Sequence, residues 1–222
     1  MYAGNHLLRI TLRRMWFVIA CIGLGETSNA LALDIQVLDR NGTPLSDVVV
    51  TVSDGHDKRA AATRPLLMDQ LNMRFVPQVL IAPLGVAVSF PNSDSVSHQV
   101  YSFSRPKPFQ LPLYKGKIHS PIVFDQPGLV VLGCNIHDNM VGYIYVTAAH
   151  WYGLTDKEGH FMLVDTPPGK VSITIWSPLI ADAAAVLTRE VELSADTRVE
   201  FKLGKALRSS PEPRPRNTDW DY

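Results

Sequence analysis

The sequence predicts an all-β protein. Short runs of alternating apolar and polar residues recur along the chain, 16 prolines and 14 glycines punctuate them, and no helical periodicity is sustained between 73 and 146. With 222 residues, 46% of them hydrophobic, there is material for one large or two small domains. Basic and acidic residues balance at 21 each, so no charge excess draws the chain to nucleic acid or an anionic membrane surface.

Residues 1–32 have the form of an export signal. Arg9, Arg13 and Arg14 make a basic start, Met15 to Leu24 an apolar core, and Ala30-Leu31-Ala32 a small-x-small cleavage pattern. That core is well short of the roughly 20 apolar residues a spanning helix needs. Cleavage after Ala32 and a periplasmic location are expected, with no stable membrane insertion afterwards. Lipid attachment at Cys21 is the minor alternative, although the apolar run before it is very short. Removing this segment leaves 18 basic and 20 acidic residues, about −2 net. It also removes Cys21, so the mature chain keeps Cys134 alone. An exported lone thiol cannot close an internal disulfide.

Leu33 to Leu38 alternates as a strand, Asn41-Gly42 makes the turn after it, and Val48 to Val52 is a β-branched second strand. Residues 53–65 read as a loop. Strands are expected over Met73 to Leu80, Val86 to Phe90, Gln99 to Phe103, Pro121 to Phe124, Leu129 to Leu132 and Val141 to Val146. Ser104 to Ser120, with its prolines and lysines, reads as a surface excursion. Further strands are expected after the Thr155–Gly159 turn, over Val171 to Trp176, Val191 to Leu193 and Val199 to Leu203. The Ser/Pro/Arg-rich tail, 205–222, is expected to be disordered.

The chemistry concentrates in Gly133-Cys134-Asn135-Ile136-His137-Asp138-Asn139-Met140, with a second imidazole at His98. Taken singly, Cys134 is a small buried hydrophobe, His137 a loop residue and Met140 core filler. Together, a thiolate, two imidazoles and a weak thioether are the donor set of a mononuclear type 1 copper site. Zinc would accept the thiolate and imidazoles but has no use for Met140. Thiolate-bridged two-copper centres need a second cysteine. His119, in the lysine-bearing excursion, is a poor ligand candidate, and His56, His150 and His160 read as solvated. No nucleophile elbow, phosphate-cradling loop or His-x-His pair is present, so catalysis is not expected.

Two resemblances follow from these motifs. Phe90-Pro91-Asn92 leading to His98, Pro127-Gly128, and Cys134-x-x-His137-x-x-Met140-x-Gly142-x-Ile144-x-Val146 resemble the cupredoxins, in particular the plastocyanin and amicyanin branch and proteins described as methylamine-utilisation-like. The resemblance implies a Greek-key β-sandwich over 58–149, with His98, Cys134, His137 and Met140 as ligands of one copper. Gln99 stands where that family often has Asn, and aliphatic Val130-Val131 where aromatic residues are common. Gly42-Thr43-Pro44-Leu45, Thr155-Asp156-x-x-Gly159-x-Phe161 and Pro167-Pro168-Gly169 resemble a carboxypeptidase-regulatory-like β-sandwich. Its halves would be 33–57 and 150–204, flanking the copper unit. In the rival arrangement 33–52 supplies the cupredoxin's own first strands. The expected function is electron carriage, with a c-type cytochrome or a dehydrogenase as redox partner. A copper-delivery module and a metal-free scaffold are the alternatives.

Overall fold

The computed structural model describes residues 31–56, 64–116, 119–180, 186–194 and 196–204. Residues 1–30 and 205–222, where the export signal and the tail were expected, lie outside them. Leu31 and Ala32, placed before the cleavage point by the sequence pattern, begin the first strand. Leu31 pairs with Thr166, whose hydroxyl donates to the Leu31 carbonyl. The described residues are all-β.

Strands β1 (Leu31–Leu38) and β2 (Val49–Ser53) come first. A middle series follows: β3 (Leu66–Leu67), β4 (Asp69–Gln70), β5 (Phe75–Val76), β6 (Val79–Pro83), β7 (Ala87–Ser89) and β8 (Tyr101–Ser102). It continues with β9 (Phe109–Gln110), β10 (Ile122–Val123), β11 (Gly128–Gly133) and β12 (Val141–Thr147). The last series is β13 (Trp151–Leu154), β14 (His160–Thr166), β15 (Gly169–Trp176), β16 (Leu187–Leu193) and β17 (Thr197–Lys202).

The first and last series pair with one another. β1 lies between β14, antiparallel, and β17, parallel, while β2 sits in the order β13-β2-β15-β16. The alternation in β1 is realised: Leu33, Ile35 and Val37 are fully buried against Val50, Val52, Ile173, Ile175 and Phe201. The Asn41-Gly42 turn closes as expected, with Gly42 at φ 88° and the Asp39 carboxylate accepting the Asn41 and Thr43 amides. Gly159 turns at φ 77° directly beneath Val37, whose carbonyl oxygen would lie 2.6 Å from an added Cβ, so only glycine fits. β13 was not foreseen, because Trp-Tyr-Gly-Leu shows no alternation. Its Gly153 lies under the Phe161 ring, where a Cβ would be 2.4 Å from a ring carbon.

His160 is not merely solvated. Its Nδ1 lies 2.7 Å from Asp34 Oδ1 across the β1–β14 pair, and that hydrogen bond raises its pKa above the usual 6.5. The pairing therefore stabilises the fold fully below the unfolded pKa and is lost as pH rises through the higher folded value. The melting temperature of wild type relative to His160→Gln should accordingly be greatest below about pH 6. That advantage should fade on the alkaline side of the midpoint. A pH-independent difference would contradict the assignment.

The middle series makes a second sandwich. A five-stranded sheet, β6-β12-β11-β8-β9, and a three-stranded sheet, β10-β7-β3, enclose Met68, Val88, Phe124, Val130, Leu132 and Ile144. The run expected over Met73 to Leu80 is broken into β5 and β6. Met73 has positive φ, and Pro77 has no amide to offer a ladder. In β11, Val130 and Leu132 point inward while Val131 is exposed on the opposite face of a mixed sheet, in which β11 pairs antiparallel with β12 and β8, and β12 pairs parallel with β6. The excursion over 104–120 is more than surface, because Phe109 pairs with Ser102 and Tyr114 enters the core. The two sandwiches meet at a third cluster, where fully buried Trp176 and Val49 of one pack on Val79, Leu129, Tyr143 and Tyr145 of the other.

Candidate metal centre

Two chain segments meet at one end of the second sandwich. β11 delivers Cys134 as the residue directly after its last ladder position, Gly133. The residues after it form successive tight turns, with His137 N donating to Cys134 O (3.4 Å) and Met140 N to His137 O (2.8 Å), before β12 begins. The other segment, between β7 and β8, carries His98, whose main chain is bridged to Tyr114.

His98, Cys134 and His137 come together, with one donor atom from each lying within 4.8 Å of the other two. The Nδ1 atoms of the two imidazoles face one another at 3.1 Å. Cys134 Sγ is 3.6 Å from His137 Nδ1 and 4.0 Å from His98 Nδ1. His98, Cys134 and Met140 are buried, and His137 is partly exposed. Met140 lies in the same apolar cluster as Cys134, at the end of the loop.

The surroundings set the state of each donor. His98 Nε2 is 3.0 Å from Asp94 Oδ2, and a carboxylate can only accept there. His98 is thereby held as the Nε2–H tautomer, with the Nδ1 lone pair turned toward Cys134 and His137. Burial pushes the Asp94 pKa up, but hydrogen bonds from the Met73 amide, His98 and the Ser95 amide more than offset this and leave it lowered. Burial, with neighbouring His98 adding to it, lowers the His137 pKa. This favours the neutral imidazole that metals bind. The Gln99 amide points at Cys134 Sγ at 3.5 Å, and the Gln99 side chain is clipped by Asn135 Nδ2 at 2.6 Å. The hydrogen bond around sulfur thus comes from the Gln99 main chain, while Asn135 acts through Gln99.

Asp94 is the functional residue that sequence reasoning passed over. Its signal was a carboxylate four residues before a candidate ligand in a turn-rich loop. Outer partners of metal-ligating histidines affect affinity by about 10–100-fold. Asp94→Ala should therefore weaken copper binding by about that factor, measured by competition with a chelator, and an unchanged affinity would remove its assigned role. Among the described residues no other histidine joins this group. His119 packs edge-on against Tyr114 (4.7 Å), and His150 stacks on Trp151 and lies 3.6 Å from Asp54.

No family model and no curated protein matches the chain. Among solved structures it is similar to a purple cupredoxin from Nitrosopumilus maritimus. The identity is 25%, over 37% of this chain and 99% of that one, with a TM-score of 0.34. A variant of amicyanin in its reduced Cu(I) form is 19% identical over 44% of this chain and 97% of that one, with a TM-score of 0.35. A copper-containing nitrite reductase from Thermus scotoductus SA-01 is 25% identical over 50% of this chain and 28% of that one, with a TM-score of 0.35. Each likeness is confined to half of this chain or less. Part of the chain has a cupredoxin-like fold, and the His98, Cys134 and His137 cluster lies at one end of the second sandwich.

Proposed function

We propose that this chain is an exported type 1 copper protein that carries single electrons between redox partners. One copper would be held by His98, Cys134, His137 and Met140. The observation that carries the reading is the convergence of a buried thiol and two imidazole Nδ1 atoms on one point. The donors suit the metal: a thiolate and imidazoles form a soft set that favours copper, and Met140 is a weak axial donor of the kind blue-copper sites use. Bound copper would supply a one-electron couple.

The chain's own residues do the rest. Asp94 fixes the tautomer and orientation of His98, and the Gln99 amide stabilises negative charge on Cys134 sulfur. The protein excludes water from three of the four ligands and leaves His137 as the outward edge. Burial of His98, Cys134 and Met140 favours a retained metal over the open, labile site that copper delivery needs. Near the ligands in sequence, Ile136 beside His137 and Val96 two residues before His98 are exposed by 53% and 42%. Such exposed apolar side chains support docking of a partner with an apolar face, such as a c-type cytochrome or a dehydrogenase. Val141, at the start of β12, is half-buried. The same reading takes 33–57 and 150–204 as one sandwich interrupted by the copper unit. Export rests on the pattern in residues 1–32.

Protein-film voltammetry beside chelator challenge tests this. A reversible one-electron wave from protein that keeps one copper per chain against a moderate chelator is expected. Ready loss of copper with no wave would move the assignment to copper delivery.

A further inference from the structure

We propose that Tyr114 is a positioning residue for His98, its hydroxyl fixing the loop that presents Asp94 to the His98 ring. The proposal deepens the reading of this site as a metal centre. It starts from Pro91. β7 ends at Ser89, and Pro91 has no amide with which to continue a ladder. The carbonyls of Phe90 and Pro91 are instead met by side chains. Tyr114 Oη donates to Phe90 O at 2.6 Å, and Gln70 Nε2 donates to Pro91 O at 2.9 Å and also to Tyr114 Oη. Gln70 is fully buried, and burial pushes the Tyr114 pKa up to about 12, so the hydroxyl remains a donor.

From this anchor the loop is tied residue by residue to Asp94. Asn92 Nδ2 donates to Tyr114 O at 2.8 Å and Val96 O at 3.0 Å, while Asn92 Oδ1 accepts the Asp94 amide at 3.0 Å. Ser93 N donates to Gln70 O at 3.1 Å. The far end closes on the same tyrosine, since His98 N donates to Tyr114 O (3.0 Å) and Tyr114 N to His98 O (2.9 Å). Tyr114 thus holds the His98 main chain with its backbone and the start of the same loop with its hydroxyl. Tyr114→Phe keeps the backbone bonds and ring packing and removes the hydroxyl, and with it the bond to Phe90 O and the acceptor for Gln70 Nε2. A network of this kind acts as a unit, so loosening one end changes where Asp94 sits.

The test compares Tyr114→Phe with Tyr101→Phe, which removes a hydroxyl outside the network. In the metal-free full-length protein, solvent exchange of the His98 Nε2–H proton is followed by nitrogen-15 NMR. It should be faster by about 5-fold or more in Tyr114→Phe, the size expected for losing one supporting hydrogen bond, and unchanged in Tyr101→Phe. The copper-loaded protein should also show a shifted EPR hyperfine splitting in Tyr114→Phe only. If Tyr114→Phe does not fold, Gln70→Leu removes the neighbouring donors and must give the same acceleration. Wild-type exchange rates in a variant that has merely lost melting temperature would reduce Tyr114 to a structural role and overturn the proposal. Accelerated exchange in a protein whose wild type binds no copper would uphold the positioning role and sink the copper reading.

Discussion

Trp176→Ala should lower stability by about 3–5 kcal/mol, the range for truncating a buried tryptophan. In a chain of this size that is a fall of roughly 10 °C in melting temperature. The ring is fully buried at the end of β15, with centroids 5.4 Å from Tyr143 and 5.9 Å from Tyr145. It faces outward from its own sandwich, so its burial is supplied by the other one. Each sandwich has a core of its own, and this cluster joins them. Removing the ring should therefore also uncouple the two, splitting one calorimetric transition into two. A loss below 1 kcal/mol with a single transition would show that the seam is held elsewhere.

The second large effect falls on the metal. Copper at about 1,000 times its Kd should stabilise the wild-type protein by about 4 kcal/mol, because a ligand bound to the folded state alone shifts the unfolding equilibrium by mass action. Cys134→Ser should abolish that gain. The metal-free variant should lose only about 1 kcal/mol, since the change is nearly isosteric and the Gln99 amide keeps an acceptor. Differential scanning fluorimetry with and without copper separates the two. Equal copper stabilisation in both proteins would place the metal somewhere other than Cys134.

The sequence revealed what depends on short spacing. Cys134, His137 and Met140 occupy one loop, so their types and intervals show them as a set. The alternation of Leu33, Ile35 and Val37 likewise shows a strand with one buried face. Contacts between distant residues stayed hidden. Tyr114 stands 44 residues from Gln70 and 24 from Phe90, and nothing local distinguishes it from an exposed tyrosine in a lysine-bearing loop. His160 meets Asp34 across 126 residues, which made it look solvated. Asp94 was in plain view, but its role depends on the loop folding back to present it to His98 Nε2. The seam was invisible for another reason. Trp176, Tyr143 and Tyr145 lie on outward faces of their own sheets, and pattern alone cannot tell that two such faces cover one another.

The most direct measurement is visible absorption and EPR of the full-length protein titrated with Cu(II). An intense thiolate-to-copper band that saturates at one copper per chain, with small hyperfine splitting, is what His98, Cys134 and His137 around one metal predict. A pale protein with ordinary tetragonal copper, or no stoichiometric uptake, would contradict the account.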